Sequence, residues 1–160
     1  MKEGLWRMYN REGKKYKLIR STSAITLLAY LAFLAWRMFF YAYANYHRAQ
    51  SSKLEYNLIP FKTILNLLDN YNKYDFTFWI YNLLGNILVF IPLGVLLTLV
   101  TKRDSIKNTL GISFLIILLA ESIQLVTRVG VFDVDDIILN LLGCLVGHAL
   151  GSSLRKFIYK

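Results

Sequence analysis

Two carboxylates, Glu121 and Asp136, stand at the edges of otherwise apolar stretches, and each belongs to a polar row at helical spacing. In "ESIQLVTR" the residues Glu121, Gln124 and Arg128 recur at intervals of three and four, which places them on one helix face. Asp133, Asp136 and Asn140, followed by Gly143 and Gly147, repeat that spacing in "FDVDDIILNLLGCLVG". Asn82 and Asn86 add two amides four apart in a third apolar stretch. Such a set could bind a polar head group through carboxylates, carboxamides and a cation, and binding needs no nucleophile, of which the sequence offers no convincing example. It could also act as an enzyme on a lipid head group, with Glu121 and Asp136 as general acid and base beside Arg128 or Arg37. Alternatively, Glu121, Asp133, Asp135 and Asp136 carry the oxygen ligands that a divalent cation prefers.

A plainer reading competes with all of these. Asp133 followed by Asp136 resembles a capping box with an acid in place of the usual Glu, and first-turn carboxylates are favoured by the helix dipole. That accounts for the acidic triplet but not for Glu121, Gln124, Asn86 or Asn140. An ionisable group at membrane depth costs about 2.5 to 3.5 kcal/mol on insertion scales, whereas a polar contact between membrane helices contributes only about 0.6 to 2 kcal/mol. Interhelical glue therefore suits the asparagines and fits Glu121 poorly.

The depth argument depends on the elements that carry these residues. The chain has 160 residues, 56% of them hydrophobic and 15% aromatic, a composition too oily for an ordinary soluble domain. Four windows approach or exceed the length of about 20 apolar residues needed to cross a bilayer: 22–43, 78–100, 108–126 and 134–153. The expected fold is all-α, an integral membrane bundle of four transmembrane helices. A basic segment over 1–21 precedes the membrane domain of 22–152, and a basic tail over 153–160 follows it. At 1.5 Å per residue, Asn86, Glu121 and Asn140 fall about 9 to 12 Å below the same surface, with Asp136 and Gln124 one turn shallower. Arg37 of the first helix reaches the same layer, so pairing with Glu121 or Asp136 is expected, because a lone guanidinium at that depth must otherwise snorkel.

The net charge of +9 would suit a nucleic-acid binder, but its distribution argues for topology instead. Thirteen Lys and Arg lie before the first window, between the second and third, or after the fourth, against five in the two other connections. The positive-inside rule then places both termini in the cytoplasm of a multi-pass plasma-membrane protein. "AYA" at 42–44 resembles a signal cleavage site, but the preceding apolar run is too long for a signal core and Arg37 interrupts it, so the first helix is read as a retained anchor. Cys144, the single cysteine, excludes an intrachain disulfide, and His47 and His148 fall on opposite sides, so no thiolate or histidine metal site is expected.

The long connection over 44–77 contains an amphipathic stretch with Leu58, Phe61, Ile64, Leu65 and Leu68 at helical spacing, beginning near Pro60. It is too short to span and reads as a short interfacial helix in the first external loop. Tyr43, Tyr46, Tyr56, Tyr71, Tyr74, Trp79 and Tyr81 would form an aromatic belt at that level. Pro92 is expected to shape the second helix.

Four motifs, "NLIPF" (57–61), "GNILVFIPLG" (85–94), "ESIQ" (121–124) and "RVGVFDVDDIILNLLG" (128–143), in this order and spacing, closely resemble the VanZ-like family of bacterial membrane proteins. The resemblance spans about residues 55–150. It implies a multi-helix plasma-membrane protein linked to low-level resistance to lipid-tailed glycopeptide antibiotics such as teicoplanin, without implying a cofactor or a defined reaction. By that resemblance the motif positions are Asn57, Pro60, Phe61, Asn86, Pro92, Gly94, Glu121, Gln124, Arg128, Asp133, Asp135, Asp136, Asn140 and Gly143. The candidate binding residues are the polar members of that set, and the expected partners are membrane lipids, lipid-linked envelope precursors or lipoglycopeptides, with no nucleic acid. A transporter ranks last, since the other half of the bundle reads as nearly all apolar apart from His148.

Overall fold

A computed structural model describes residues 2–41, 54–70, 76–101, 105–128 and 130–158. The chain is almost entirely helical: α1 (Lys2–Ala35) continues into a π-helical turn (Trp36–Tyr41), and β1 (Tyr56–Asn57) leads to α2 (Lys62–Asp69). Then come α3 (Phe76–Val100), α4 (Ile106–Thr127), β2 (Phe132–Asp133) and α5 (Val134–Ile158). Among the described residues four segments are long and apolar enough to cross a membrane, Gly13–Phe39, Asn82–Val100, Ile106–Thr127 and Val134–Ile158, and the short α2 sits outside them. Of the expected aromatic belt, Tyr43, Tyr46, Tyr71 and Tyr74 and the side chains of Trp79 and Tyr81 lie outside the described residues, as does His47.

Two boundaries move relative to the hydropathy windows. α1 begins at Lys2 rather than Thr22, and α5 runs to Ile158 rather than Ser153. Both extensions are proline-free and rich in Lys and Arg, good helix formers that prolong a helix once a buried segment has nucleated it.

The α3 and α5 pair is the tightest contact. A Cβ on Gly143 would overlap the Ile87 carbonyl, one on Gly147 the Ile91 carbonyl, and, reciprocally, one on Gly94 of α3 would overlap the Cys144 carbonyl of α5. Small residues let the two backbones touch, which matters in a bilayer, where packing rather than hydrophobic transfer holds helices together. Pro92 lies in α3 within this same contact. Leu34, Phe90, Leu93, Leu97, Ile117, Ile137 and Cys144 form the buried apolar core around it.

The basic stretches collect at one end of the bundle. Arg20 Nε donates to the Val100 carbonyl at 2.8 Å, Lys15 Nζ to the Ile158 carbonyl at 2.9 Å, and Arg155 to the Thr98 and Thr101 carbonyls at 3.2 and 2.9 Å. These carbonyls lie in the last turns of α3 and α5 or, for Thr101, just beyond α3, where helical partners run out and the negative end of the dipole is felt. The cations thus cap helix ends as well as setting charge asymmetry.

The same half of the bundle is less apolar than its hydropathy suggests. Thr98 Oγ1 bonds the Gly94 carbonyl at 2.8 Å and His148 Nδ1 at 2.9 Å, and Thr109 and Ser113 are fully buried on the facing side of α4. Leu93, Ile117 and Cys144, all fully buried, stand along the helices between this cluster and the acids at the other end. The two polar zones are separated by an apolar layer.

Candidate functional site

The three aspartates of "FDVDD" divide into two structures. Asp135, fully buried, accepts from the backbone N–H groups of Phe61, Thr63 (2.8 Å) and Ile64 (3.1 Å), three of the donors that the start of α2 leaves unpaired. Asp133 accepts from Thr63 Oγ1 at 2.6 Å and Asn57 Nδ2 at 3.1 Å, and also from the Asp135 N–H at 2.9 Å, so it caps α5 while gripping the loop. A two-residue parallel pairing, Tyr56 with Phe132 and Asn57 with Asp133, aligns the parts. Phe61 takes a left-handed φ of 65° at the turn into α2. Together these contacts clasp α2 onto the head of α5.

The expected start of the interfacial helix near Pro60 shifts to Lys62, because Phe61 is the N-cap and Pro60 lies in the preceding turn. Leu67 is its buried anchor, whereas Leu58, Phe61, Leu65 and Leu68 point outward.

Hydrogen bonds to a charged group contribute about 1.5 to 3 kcal/mol each, so Asp135→Asn should weaken the docking of α2 by one such bond or more. Hydrogen exchange should then speed up at the Phe61, Thr63 and Ile64 amides by about ten- to a hundredfold, with α3 and α4 unchanged. Unaltered protection of those three amides would mean that α2 is held by something other than the clasp.

Asp136 turns the other way, into a cleft of about 210 Å³ formed by all four spanning helices. The π-helical turn contributes Arg37 and Met38, α3 contributes Gly85, Asn86, Val89 and Phe90, α4 contributes Glu121 and Gln124, and α5 contributes Asp136 and Asn140. Asn86 Nδ2 donates to Asp136 Oδ1 at 2.6 Å, and Gln124 Nε2 donates to the Met38 carbonyl at 3.3 Å, tying α4 to the π-helical turn. Glu121 and Asn140 are each 2% exposed, and among the described residues Glu121 Oε2 and Asn140 Oδ1 have no hydrogen-bond partner. A buried acceptor left unsatisfied costs about 1 to 3 kcal/mol, so these oxygens favour an incoming donor such as a hydroxyl or ammonium group. The cleft is smaller than the roughly 300 to 1,000 Å³ of a site for a drug-sized molecule, so it accommodates a head group or one sugar-sized portion of a larger ligand.

The structure therefore brings Asn86, Glu121, Gln124, Asp136 and Asn140 together with Arg37. Asn57, Asp133 and Asp135 belong to the clasp, and Arg128 is the exposed left-handed C-cap of α4, outside the cleft. The expected Arg37 ion pair is not formed among the described residues: Arg37 lines the cleft with both acids but makes no ion pair with either. Its place in a π-helical turn, wound differently from the α-helix on which the depth argument rested, shifts the direction of its side chain. Nor do the four acids make one ligand set. Oxygens of Asp133 and Asp135 are taken up by the clasp, and no group of three metal-binding side chains converges among the described residues.

The sequence reading missed Met38, Gly85 and Phe90 as lining and Thr63 as the pivot of the clasp. Gly85 was visible as the start of "GNILVF", but a glycine that opens a wall carries no chemical signature of its own.

No curated protein and no solved structure matches the chain. The family model described as VanZ/LLP1 matches residues 27–155, a stretch that contains the cleft, the clasp and the glycine contact between α3 and α5, and the chain accordingly belongs to the VanZ/LLP1 family.

Proposed function

We propose that this protein is a plasma-membrane binding protein that contributes to low-level resistance to lipid-tailed glycopeptide antibiotics such as teicoplanin. The polar cleft faces outward and engages an envelope lipid or the lipid-bearing part of the antibiotic, changing what accumulates at the outer leaflet. The observation that carries this reading is the pair of buried, unpartnered acceptors, Glu121 Oε2 and Asn140 Oδ1, in the wall of a cleft within the spanning region. Polar atoms buried at such a cost with no internal partner suit a ligand better than packing. In a susceptible host, expression should raise tolerance to a lipid-tailed glycopeptide but not to a tail-less one. Equal tolerance to both, or none, would refute the reading.

The outward orientation rests on the distribution of Lys and Arg, with both termini cytoplasmic. With Cys144 replaced by Ser, a cysteine introduced at Ser105 should resist an impermeant thiol reagent in intact cells and react after permeabilisation. Labelling in intact cells would invert the topology.

A second reading, acid and base chemistry on a lipid head group, is favoured by one observation: two carboxyl groups share the cleft in different settings, Asp136 bonded to Asn86 and Glu121 with a bare oxygen. It predicts an altered lipid product in extracts of expressing cells, which the binding reading does not.

A further inference from the structure

A second cavity adjoins the cleft. It is an apolar groove of about 160 Å³ between α1 and α4, walled by Leu31 and Leu34 on one side and by Ile116 and Ile123 on the other. Met38 and Phe90 line both cavities, so the groove begins where the polar cleft ends. From Ile123 to Ile116, and from Met38 to Leu31, it follows the helices for seven residues, about 10 Å, away from the clasp and towards the basic end of the bundle.

We propose that the ligand of the cleft is an amphiphile whose hydrogen-bond-donating head meets Glu121 and Asn140 and whose acyl chain lies in this groove. The inference rests on the reading of the cleft as a binding site and specifies the class of molecule that fills it. Three observations combine. The unpartnered atoms of the cleft, Glu121 Oε2 and Asn140 Oδ1, are acceptors, which selects hydroxyl- or ammonium-bearing heads over phosphate or carboxylate oxygens facing them. The groove is walled by apolar side chains, which selects hydrocarbon. The shared wall at Met38 and Phe90 sets the two selections side by side in one molecule, and an unbranched thioether at that junction adapts to the bend between head and chain. An amphiphile already dissolved in the leaflet also delivers its head to this depth, which a purely water-soluble ligand would have to reach against the cost of leaving water.

The test is photolabelling of the full chain in vesicles of phosphatidylcholine, whose head offers no hydrogen-bond donor to compete with the probes. The probes are decylamine, decyl glucoside and decanoate, each with a diazirine at the far end of the chain, and labelled peptides are identified by mass spectrometry. The two donor-headed probes should label the groove walls at Leu31, Leu34 and Ile116 about tenfold above the lipid-facing end of α5 at Phe157, which is 81% exposed. Decanoate, which offers acceptors to two acids, should show no such preference in the Arg37→Gln protein, where the guanidinium of the same cleft can no longer capture its carboxylate. Glu121→Gln should reduce groove labelling to the level at Phe157, and Ala120→Phe, which fills the groove from α4, should drive the label elsewhere. If only one donor-headed probe gives the pattern, the proposal stands and the head is identified as an amine or a polyol. Groove labelling by decanoate equal to that by the other two in the Arg37→Gln protein overturns the donor-headed class. Labelling that depends on head group and on Glu121 but falls outside the groove overturns the chain path and leaves the cleft a binding site. Uniform labelling of every lipid-facing helix, indifferent to head group and to Glu121→Gln, overturns both.

Discussion

Glu121→Gln and Asp136→Asn, made separately, are expected to abolish protection against a lipid-tailed glycopeptide while the protein accumulates in the membrane at its normal level. Each substitution keeps the shape of the side chain and an oxygen able to accept. Asn at position 136 can still take the Asn86 amide that now donates at 2.6 Å, and Gln at position 121 leaves the 2%-exposed site filled. What disappears is the ionisable carboxyl and one of its two acceptor oxygens, replaced by an amide nitrogen that donates. Removing an ionisable group from a membrane span relieves an insertion cost of about 2.5 to 3.5 kcal/mol, so neither variant should be lost through failure to insert. A ligand donor left facing that amide is unsatisfied, which costs about 1 to 3 kcal/mol and converts to a loss of ligand affinity of about five- to a hundredfold. That is enough to remove a low-level phenotype. Full protection by both variants at wild-type protein levels would reduce the cleft to a packing feature.

Gly143→Leu and Gly147→Leu should fail for the opposite reason, through loss of the folded protein. Even a methyl group at either position would overlap a carbonyl of α3, at Ile87 and Ile91 respectively, and backbone cannot swing aside as a side chain can. Overpacking a tight contact costs about 1 to 3 kcal/mol when side chains alone must shift, and prising apart the backbones of α3 and α5 should cost more. Gly111→Leu is the matched control, because a Cβ there meets nothing within 4 Å. Thermal melting in detergent, with membrane yield alongside, should show the first two variants depleted and the third close to wild type. Wild-type melting of Gly143→Leu would contradict the close approach of the two helices.

The four spans were legible because hydrophobic length is a local property, and the polar layer because spacing of three and four, together with the rise per residue, converts sequence position into height. Height is not direction, however. Arg37 was placed at the right level, but the π-helical turn that carries it leaves no mark in hydropathy, so its pairing was misjudged. The acidic triplet could not be divided from sequence, since Asp135 meets Phe61 across 74 positions and the strand pairing that registers them is two residues long. The triplet splits between fold and cavity: Asp133 and Asp135 serve the fold, as a cap does, and Asp136 lines the cleft. Thr98, Thr109 and Ser113 escaped notice because small hydroxyls barely interrupt an apolar run. Thr98 shows why they are tolerated, since its hydroxyl bonds the carbonyl four residues back.

The clasp also dictates an order of events at the ribosome. Both carboxylates that grip the start of α2, those of Asp133 and Asp135, are synthesised later than α2 itself, and Asp135 follows Phe61 by 74 residues. At about 5 to 20 residues per second, α2 waits some 4 to 15 s after its own synthesis before its partner exists. During that interval α1, α3 and α4 can enter the bilayer, but the segment from Asn57 to Ile64 has no carboxylate to close on. Docking of α2 therefore waits for the head of the final helix, and a chain cut short before Asp133 would carry three spans with α2 unlatched.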